Sequence, residues 1–332
     1  MLGGNGCKPR DGLLGRIAAF YVLISPFSIQ NPAFRILSLT PTPFLMPPES
    51  THVPVDAPKQ GWPLKAYDNP SFLNSPEGRL IRVMCEMTEP NGRLRRHEVE
   101  NTIVFFGSAR LKPADVAKQE LALIEAEIRA KPAMSREQKT KIDRARKAVN
   151  AAPYYEMARE LARELTQWSQ GIPDPSKRFP ICTGGGPGIM EAANRGAKEA
   201  GGPSMGLGIS LPHEQSMNPY CTEELSFEFH YFFVRKYWFF YLAKALIAFP
   251  GGFGTLDELF EMLTLIQTRK TKKYVPVVLF GSEFWRPLIN WDHFVDWGVI
   301  SEEDLALFKI CDTVREAKDY LIGELTKYYV EP

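Results

Sequence analysis

Short apolar runs alternate with longer helical patterns along most of this chain. Residues 102–106 form a continuous apolar run that stops at Gly107-Ser108, as a strand buried on both faces of a parallel sheet does. Residues 179–183, 204–209, 225–229, 245–249 and 275–279 read as further strands. Between them lie helical patterns at 189–200, at about 233–242 (dense in aromatics) and at 256–268, and two or three more helices close the chain. Strands alternating with helices at this spacing predict an α/β fold, a Rossmann-like doubly wound parallel sheet with helices on both faces.

Two segments are less definite. Residues 79–87 alternate apolar and polar positions (Leu80, Arg82, Val83, Cys85, Glu86), which suits an edge strand or a short helix, and periodicity does not decide between them. Residues 112–149 are dense in Lys, Arg, Glu and Ala, with one break at Lys131-Pro132. They predict two solvent-facing helices in a hairpin, an insertion in the αβ series. A separate helix then starts with Pro153 in its first turn and carries Met157, Leu161 and Leu165 on one face. Residues 13–27 are apolar, but Arg16 interrupts them and they are shorter than the roughly 20 residues of a membrane span. Eleven of the 27 prolines precede residue 71. Residues 1–60 are therefore expected to be a disordered extension, with a natural start nearer Met46, and residues 61–332 a single domain.

Composition narrows the function classes. A formal net charge of +1 gives no global field for nucleic acid or an anionic membrane, so any anion site must be local. The five cysteines (Cys7, Cys85, Cys182, Cys221, Cys311) are scattered without a Cys-x-x-Cys pair. They read as reduced thiols of a cytoplasmic protein, each a small buried hydrophobe. The histidines (His52, His97, His213, His230, His293) are equally dispersed, and no metal site is expected.

The chemistry concentrates in two glycine-rich turns, Gly184-Gly185-Gly186-Pro187-Gly188 and Pro250-Gly251-Gly252-Phe253-Gly254-Thr255. Each stands where a strand ends and a helix begins, on the edge of the sheet where ligands bind. Backbone N–H groups without helical partners and the helix dipole favour an anion there, and glycine lets the backbone approach it closely. Neither turn ends in the Gly-Lys-Ser/Thr of a P-loop, and neither has the third glycine of a dinucleotide fingerprint in register. Thr255-Leu256-Asp257-Glu258 follows the second turn. It suits a capping box, in which Glu258 returns to the backbone of an N-cap Thr255, and equally a carboxylate placed beside a bound sugar. Arg235-Lys236 interrupts an aromatic run, either as an exposed step or as an inward anion contact.

With these residues together, the chain resembles the LONELY GUY (LOG) family, once labelled "possible lysine decarboxylase". Pro250 to Glu258 matches the family's Pro-Gly-Gly-x-Gly-Thr-x-x-Glu at every fixed position, Arg235-Lys236 matches its Arg-Lys pair, and Phe105-Phe106-Gly107-Ser108 resembles its first strand and serine turn. Phe232-Phe233-Val234 before the pair, a shorter triple-glycine turn and Glu191 after Met190 are similar to the larger bacterial members instead of the plant type. The resemblance implies hydrolysis of the N-glycosidic bond of a nucleoside 5′-monophosphate, of AMP or cytokinin riboside type, to free base and ribose 5-phosphate. It implies Glu258 and Arg235 as catalytic groups. It implies substrate and phosphate contacts from Gly107, Ser108, Gly184, Gly185, Gly186, Gly188, Met190, Lys236, Gly251, Gly252, Gly254 and Thr255. It implies no cofactor and at least a homodimer, whose interface the aromatic helix suits. The alternatives are a non-catalytic nucleotide or cofactor carrier of the same fold and a purely structural interaction protein. A pyridoxal-phosphate decarboxylase is disfavoured, because no lysine stands in a recognisable cofactor context.

Overall fold

The computed structural model describes residues 62–129, 134–210 and 216–331. The expectations for residues 1–60, Cys7, His52, the Lys131-Pro132 break and His213 fall outside the described residues. The chain divides at Leu64, and the unit that follows, from Lys65, carries the fold. Of the first unit only residues 62–64 are described, without regular structure.

Seven parallel strands form one sheet in the order β4-β3-β2-β1-β5-β6-β7. They are β1 Thr102–Phe106, β2 Ile181–Thr183, β3 Ser204–Ile209, β4 Ser226–Phe229, β5 Ala243–Ala248, β6 Val277–Phe280 and β7 Lys309–Cys311. The first six match the sequence expectation. The seventh was missed, because a three-residue edge strand of Lys-Ile-Cys carries no readable period. Apart from the single turn Pro70–Leu73, the α-helices among the described residues are α1 Arg79–Arg96, α2 Ala114–Arg129, α3 Arg136–Gln170, α4 Ile189–Glu199, α5 Phe232–Leu242, α6 Phe253–Gln267, α7 Ser282–Leu288, α8 Trp291–Asp296 and α9 Val314–Leu325.

Alternate residues of β1 point into two separate cores, as the pleat requires. Ile103 and Phe105 pack on one face with Tyr155, Leu161, Ile189 and Leu321, from α3, α4 and α9. Val104 and Phe106 pack on the other with Leu94, Trp238, Phe239 and Leu259, from α1, α5 and α6. This is the doubly wound α/β architecture expected from the sequence. The strand order reverses between β1 and β5, so the crevice beyond their carboxyl ends is where such a sheet binds ligands. The β1 turn at Gly107-Ser108 and the β5 turn at Pro250-Gly251-Gly252 meet at that point.

Two local expectations change. Residues 79–87 belong to the 18-residue helix α1, so of the two readings left open the helix is the one formed. The hairpin at 112–149 forms, but its second helix does not end before Pro153. Helix α3 runs unbroken for 35 residues, with Pro153 in its interior and a capping box at its start, where Ser135 Oγ accepts from Gln138 N–H. Proline removes one helical hydrogen bond. Burial of Ala152, Tyr154, Tyr155 and Ala158 around it holds the helix together. Among the cysteines, Cys182 and Cys311 are buried, Cys221 is half-buried and Cys85 is exposed, contrary to its expected burial. No helix of the described residues is long and apolar enough to cross a membrane.

Candidate active site

Three strand-to-helix turns are stitched to one another by their backbones. Ser108 N–H donates to the Pro250 carbonyl (3.0 Å), and the Ser108 carbonyl accepts from Ile189 N–H (3.1 Å). The β1 turn thus lies between the two glycine turns. The close approach needs glycine at set places. A Cβ on Gly107 would stand 2.7 Å from Ile189, and one on Gly188, whose φ is +73°, would stand 2.3 Å from the Ser108 carbonyl. A Cβ on Gly184 would meet Met190 Sδ at 2.8 Å. Gly107, Ser108, Gly184, Gly188 and Met190 are therefore brought together as one packed unit.

The second turn is built differently. Helix α6 begins at Phe253 with Gly252 as N-cap and no side-chain cap. Thr255 is the third helical residue, so the Thr255–Glu258 capping box does not exist: Phe253 and Gly254 already lie in the helix ahead of it. A Cβ on Gly251 would come within 2.1 Å of Thr255 Oγ1, whereas Gly252 and Gly254 face open space with nothing within 4 Å. The helix end is uncapped and clear of side chains, while Thr255 and Glu258, one turn apart, are both buried.

Glu258 is the most perturbed carboxylate in the fold. It is 5 % exposed, and among the described residues its Oε2 has no hydrogen-bond partner. Its Oε1 lies 3.9 Å from Arg235 Nη2. Burial pushes its pKa up to about 7, against the opposing pull of Lys236 and Arg235. The Arg235 guanidinium is itself stacked near Phe232 and Phe239, at 5.1 and 5.7 Å from the ring centroids. Arg235-Lys236 is thus an inward pair, not an exposed step. Lys236 Nζ sits between Asp257 (2.8 Å) and Glu261 (2.6 Å). Burial alone would lower its pKa, but those two carboxylates outweigh it and hold the ammonium charged. Any phosphate contact by Lys236 therefore competes with them.

Sequence reasoning missed the groups that hold these elements. Glu86 of α1 accepts from His230 N–H (2.9 Å) and Tyr231 N–H (3.3 Å) and so ties down the segment leading into α5, which carries Arg235. The alternation around residue 86 hid this, because a carboxylate that bonds to a distant segment leaves no local signal. Asn194 and Asn218 form a buried amide network under the triple-glycine turn. Their signal was a polar residue inside an apolar helix face and a lone Asn beyond β3. A cleft of about 300 Å³ borders the outer side of that turn, lined in part by Gly184, Gly186, Met217 and Phe227. Among the described residues no cluster of three or more His, Cys, Asp or Glu could hold a metal.

The chain is similar to several known proteins. The family profile described as "Possible lysine decarboxylase" matches residues 190–321. The cytokinin riboside 5′-monophosphate phosphoribohydrolase LOG of Oryza sativa subsp. japonica is 30% identical over 184 residues, which are 54% of this chain and 69% of that protein. A cytokinin riboside 5′-monophosphate phosphoribohydrolase of Rhodococcoides fascians is 29% identical, over 43% of this chain and 72% of its own. Among solved structures, a Moco carrier protein from Chlamydomonas reinhardtii aligns with 69% of this chain and 99% of its own length, at 19% identity and a TM-score of 0.38. That likeness is too low to assign a ligand.

Proposed function

The chain belongs to the LOG family, also described as the possible lysine decarboxylase family, and on that premise we propose that it hydrolyses the N-glycosidic bond of a nucleoside 5′-monophosphate. The products are the free base and ribose 5-phosphate, and the substrate is AMP or a cytokinin riboside 5′-monophosphate. The observation that carries the reading is Glu258, a buried carboxylate with one free oxygen, beside an arginine and one turn beyond an open helix end.

In this reading the uncapped start of α6 receives the 5′-phosphate. Phe253, Gly254 and Thr255 offer backbone N–H groups there, and Gly252 and Gly254 leave room for its oxygens. Anchoring the phosphate orients the remote glycosidic bond, which lowers the barrier through lost freedom already surrendered on binding. Departure of the base leaves positive charge on the ribose C1′, and an ionised Glu258 stabilises it. Glu258 also accepts a proton from the water that attacks C1′. The leaving base takes up a proton, so water is divided between sugar and base and the atoms balance. A carboxylate with a pKa near 7 is a stronger base than an ordinary glutamate and is still ionised in useful amount at neutral pH. Arg235 keeps that carboxylate from being neutralised altogether and offers a donor to the substrate.

The exposed face of α5 carries Phe233, Tyr237 and Tyr241 at helical spacing, which supports the expected homodimer. Light scattering on the purified chain tests it, and a monomer at micromolar concentration contradicts it. For activity, the protein is incubated with AMP and with a cytokinin riboside 5′-monophosphate, and released base is separated by chromatography. No base from either nucleotide overturns the hydrolase reading and leaves the carrier.

A further inference from the structure

The two glycine turns look alike in sequence, yet their backbone groups face opposite duties. In the 184–188 turn the N–H groups expected to meet an anion are partly used inside the chain. Gly185 N–H donates to Thr183 Oγ1 at 2.9 Å, and Ile189 N–H, the first of α4, donates to the Ser108 carbonyl. Beneath the turn, Asn218 is 8 % exposed. Its backbone N–H donates to the Gly185 carbonyl at 2.8 Å. Its Nδ2 reaches the carbonyls of Gly185 and Gly186, both at 3.0 Å, and Asn194 Oδ1 at 2.9 Å. Asn194 Oδ1 also accepts from the Thr183 hydroxyl at 2.7 Å, and Asn194 Nδ2 donates to Ser204 Oγ at 3.1 Å. The Asn218 amide has one consistent orientation, since its Oδ1 accepts from Tyr220 N–H.

A trans peptide is planar, with C=O and N–H pointing opposite ways, and no cis peptide occurs among the described residues. The Gly185 carbonyl faces Asn218, so Gly186 N–H faces the other way. Gly185 N–H faces Thr183, so the Gly184 carbonyl faces away from it. These two peptides therefore present an acceptor and a donor outward, and the N–H groups not used inside the chain are left to Gly188, Met190 and Glu191 at the start of α4. A phosphate only accepts and is repelled by a carbonyl, whereas a sugar hydroxyl both donates and accepts. At the α6 end, among the described residues, the N–H groups of Phe253, Gly254 and Thr255 are not used inside the chain.

We propose that Thr183 and Asn218 are positioning residues that set these two peptides, so that the triple-glycine turn holds the neutral, hydroxyl-bearing part of the nucleotide while α6 holds the phosphate. The proposal rests on the nucleotide reading above. It also accounts for Met205-Gly206-Leu207-Gly208. A Cβ on Gly206 would lie 2.8 Å from Cys221 Sγ, and one on Gly208 would lie 2.8 Å from Met217 Cε. Strand β3 lacks side chains where the segment carrying Asn218 crosses it.

The test is titration calorimetry of the full chain with AMP and, separately, inorganic phosphate. Parent, Thr183→Val, Thr183→Ser and Asn218→Asp are compared after a thermal melt confirms folding. Thr183→Val and Asn218→Asp are expected to weaken AMP by at least about tenfold, or about 1.4 kcal/mol, with phosphate affinity changed by no more than about twofold. Thr183→Ser, which keeps the hydroxyl, restores AMP binding. Parallel loss of AMP and phosphate affinity overturns the proposal, as do unchanged AMP affinity or a parent that does not bind AMP. If Asn218→Asp does not fold, the nearly isosteric Val and Ser pair at 183 decides. A parent that binds AMP with this pattern but releases no base leaves the proposal standing and removes the hydrolase reading.

Discussion

Glu258→Gln keeps the shape of the side chain and removes its ionisation, so it isolates the consequence of burying that carboxyl. The rise in pKa from 4.5 to about 7 corresponds to about 3 kcal/mol of folding stability. Below pH 4.5 the carboxyl is protonated in both folded and unfolded chains, and its burial carries no ionic cost. Between 4.5 and 7 the unfolded chain releases the proton and the folded chain keeps it, so stability falls as pH rises. Above 7 the folded chain carries a buried carboxylate and the loss is complete. The glutamine variant escapes this loss. It should match the parent at pH 4.5 and exceed it by about 3 kcal/mol at pH 8.5, the difference growing through the window between. Urea unfolding at a series of pH values measures it. Lys273, which burial brings down to about 7, titrates in the same range, but it is present in both proteins and cancels in their difference. Base release should meanwhile be lost in the variant. Parallel stability curves for parent and variant would refute the account of the buried carboxyl, and retained turnover would refute its catalytic role. A capping glutamate would behave in the opposite sense, with the variant less stable by about 1 kcal/mol at every pH where the parent is folded.

The same carboxyl sets the expected pH dependence of turnover. If the ionised form reacts, kcat/KM climbs with pH through about 7, and a flat profile from pH 5.5 to 8.5 contradicts this. In Arg235→Gln, loss of a charge that lowers the Glu258 pKa should reduce turnover and displace that climb to higher pH; an unmoved limb in a still-active variant speaks against the coupling. Gly254→Ala places a methyl group in open space within a helix, so the melting temperature should hold or rise, by up to about 1 kcal/mol of stability, while KM for the nucleotide rises. Unchanged KM argues against phosphate at that end. Gly251→Ala drives a Cβ onto Thr255 and should cost roughly 1–3 kcal/mol, read as a lower urea midpoint. Glu86→Ala removes two hydrogen bonds to the backbone leading into α5 and should cost about 1–3 kcal/mol, with turnover reduced through Arg235; stability equal to the parent would deny Glu86 its positioning part.

Much of the sheet was legible because a parallel strand buried on both faces writes a continuous apolar run, and β1, β6 and the part of β5 beyond Lys244 are such runs. Helix limits were less legible. Pro153 reads locally as a start, since proline suits a first turn, but the packing of Tyr155 and Leu161 against the sheet decides the matter from outside the segment. The start of α6 was set three residues late for a related reason. Gly251, Gly252 and Gly254 have poor helix propensity, and nothing in their neighbourhood announces that Thr255 Oγ1 fills the space a Cβ would need. The motif named Thr255 and Glu258, and the capping box it suggested between them is not the structure formed.

The contrast between the two glycine turns follows from the same limit. Sequence reports where a side chain is missing, and both turns are missing several. It does not report which way each peptide faces, and that is decided by partners far along the chain. For the first turn these are Thr183, Asn194 and Asn218, buried polar groups that must be satisfied and that draw carbonyls of the turn inward. For the second, the N–H groups of Phe253, Gly254 and Thr255 begin α6 without a partner inside the chain, among the described residues. The two turns therefore answer to different parts of a nucleotide. Phosphate binding at α6 alone leaves Glu258, one turn further along the same helix, at the distance of a sugar and not of a phosphate. A second clamp of the same kind on the phosphate would have added affinity without orienting the bond that breaks; a clamp on the hydroxyls fixes the ring against the carboxylate, and that is where orientation lowers the barrier.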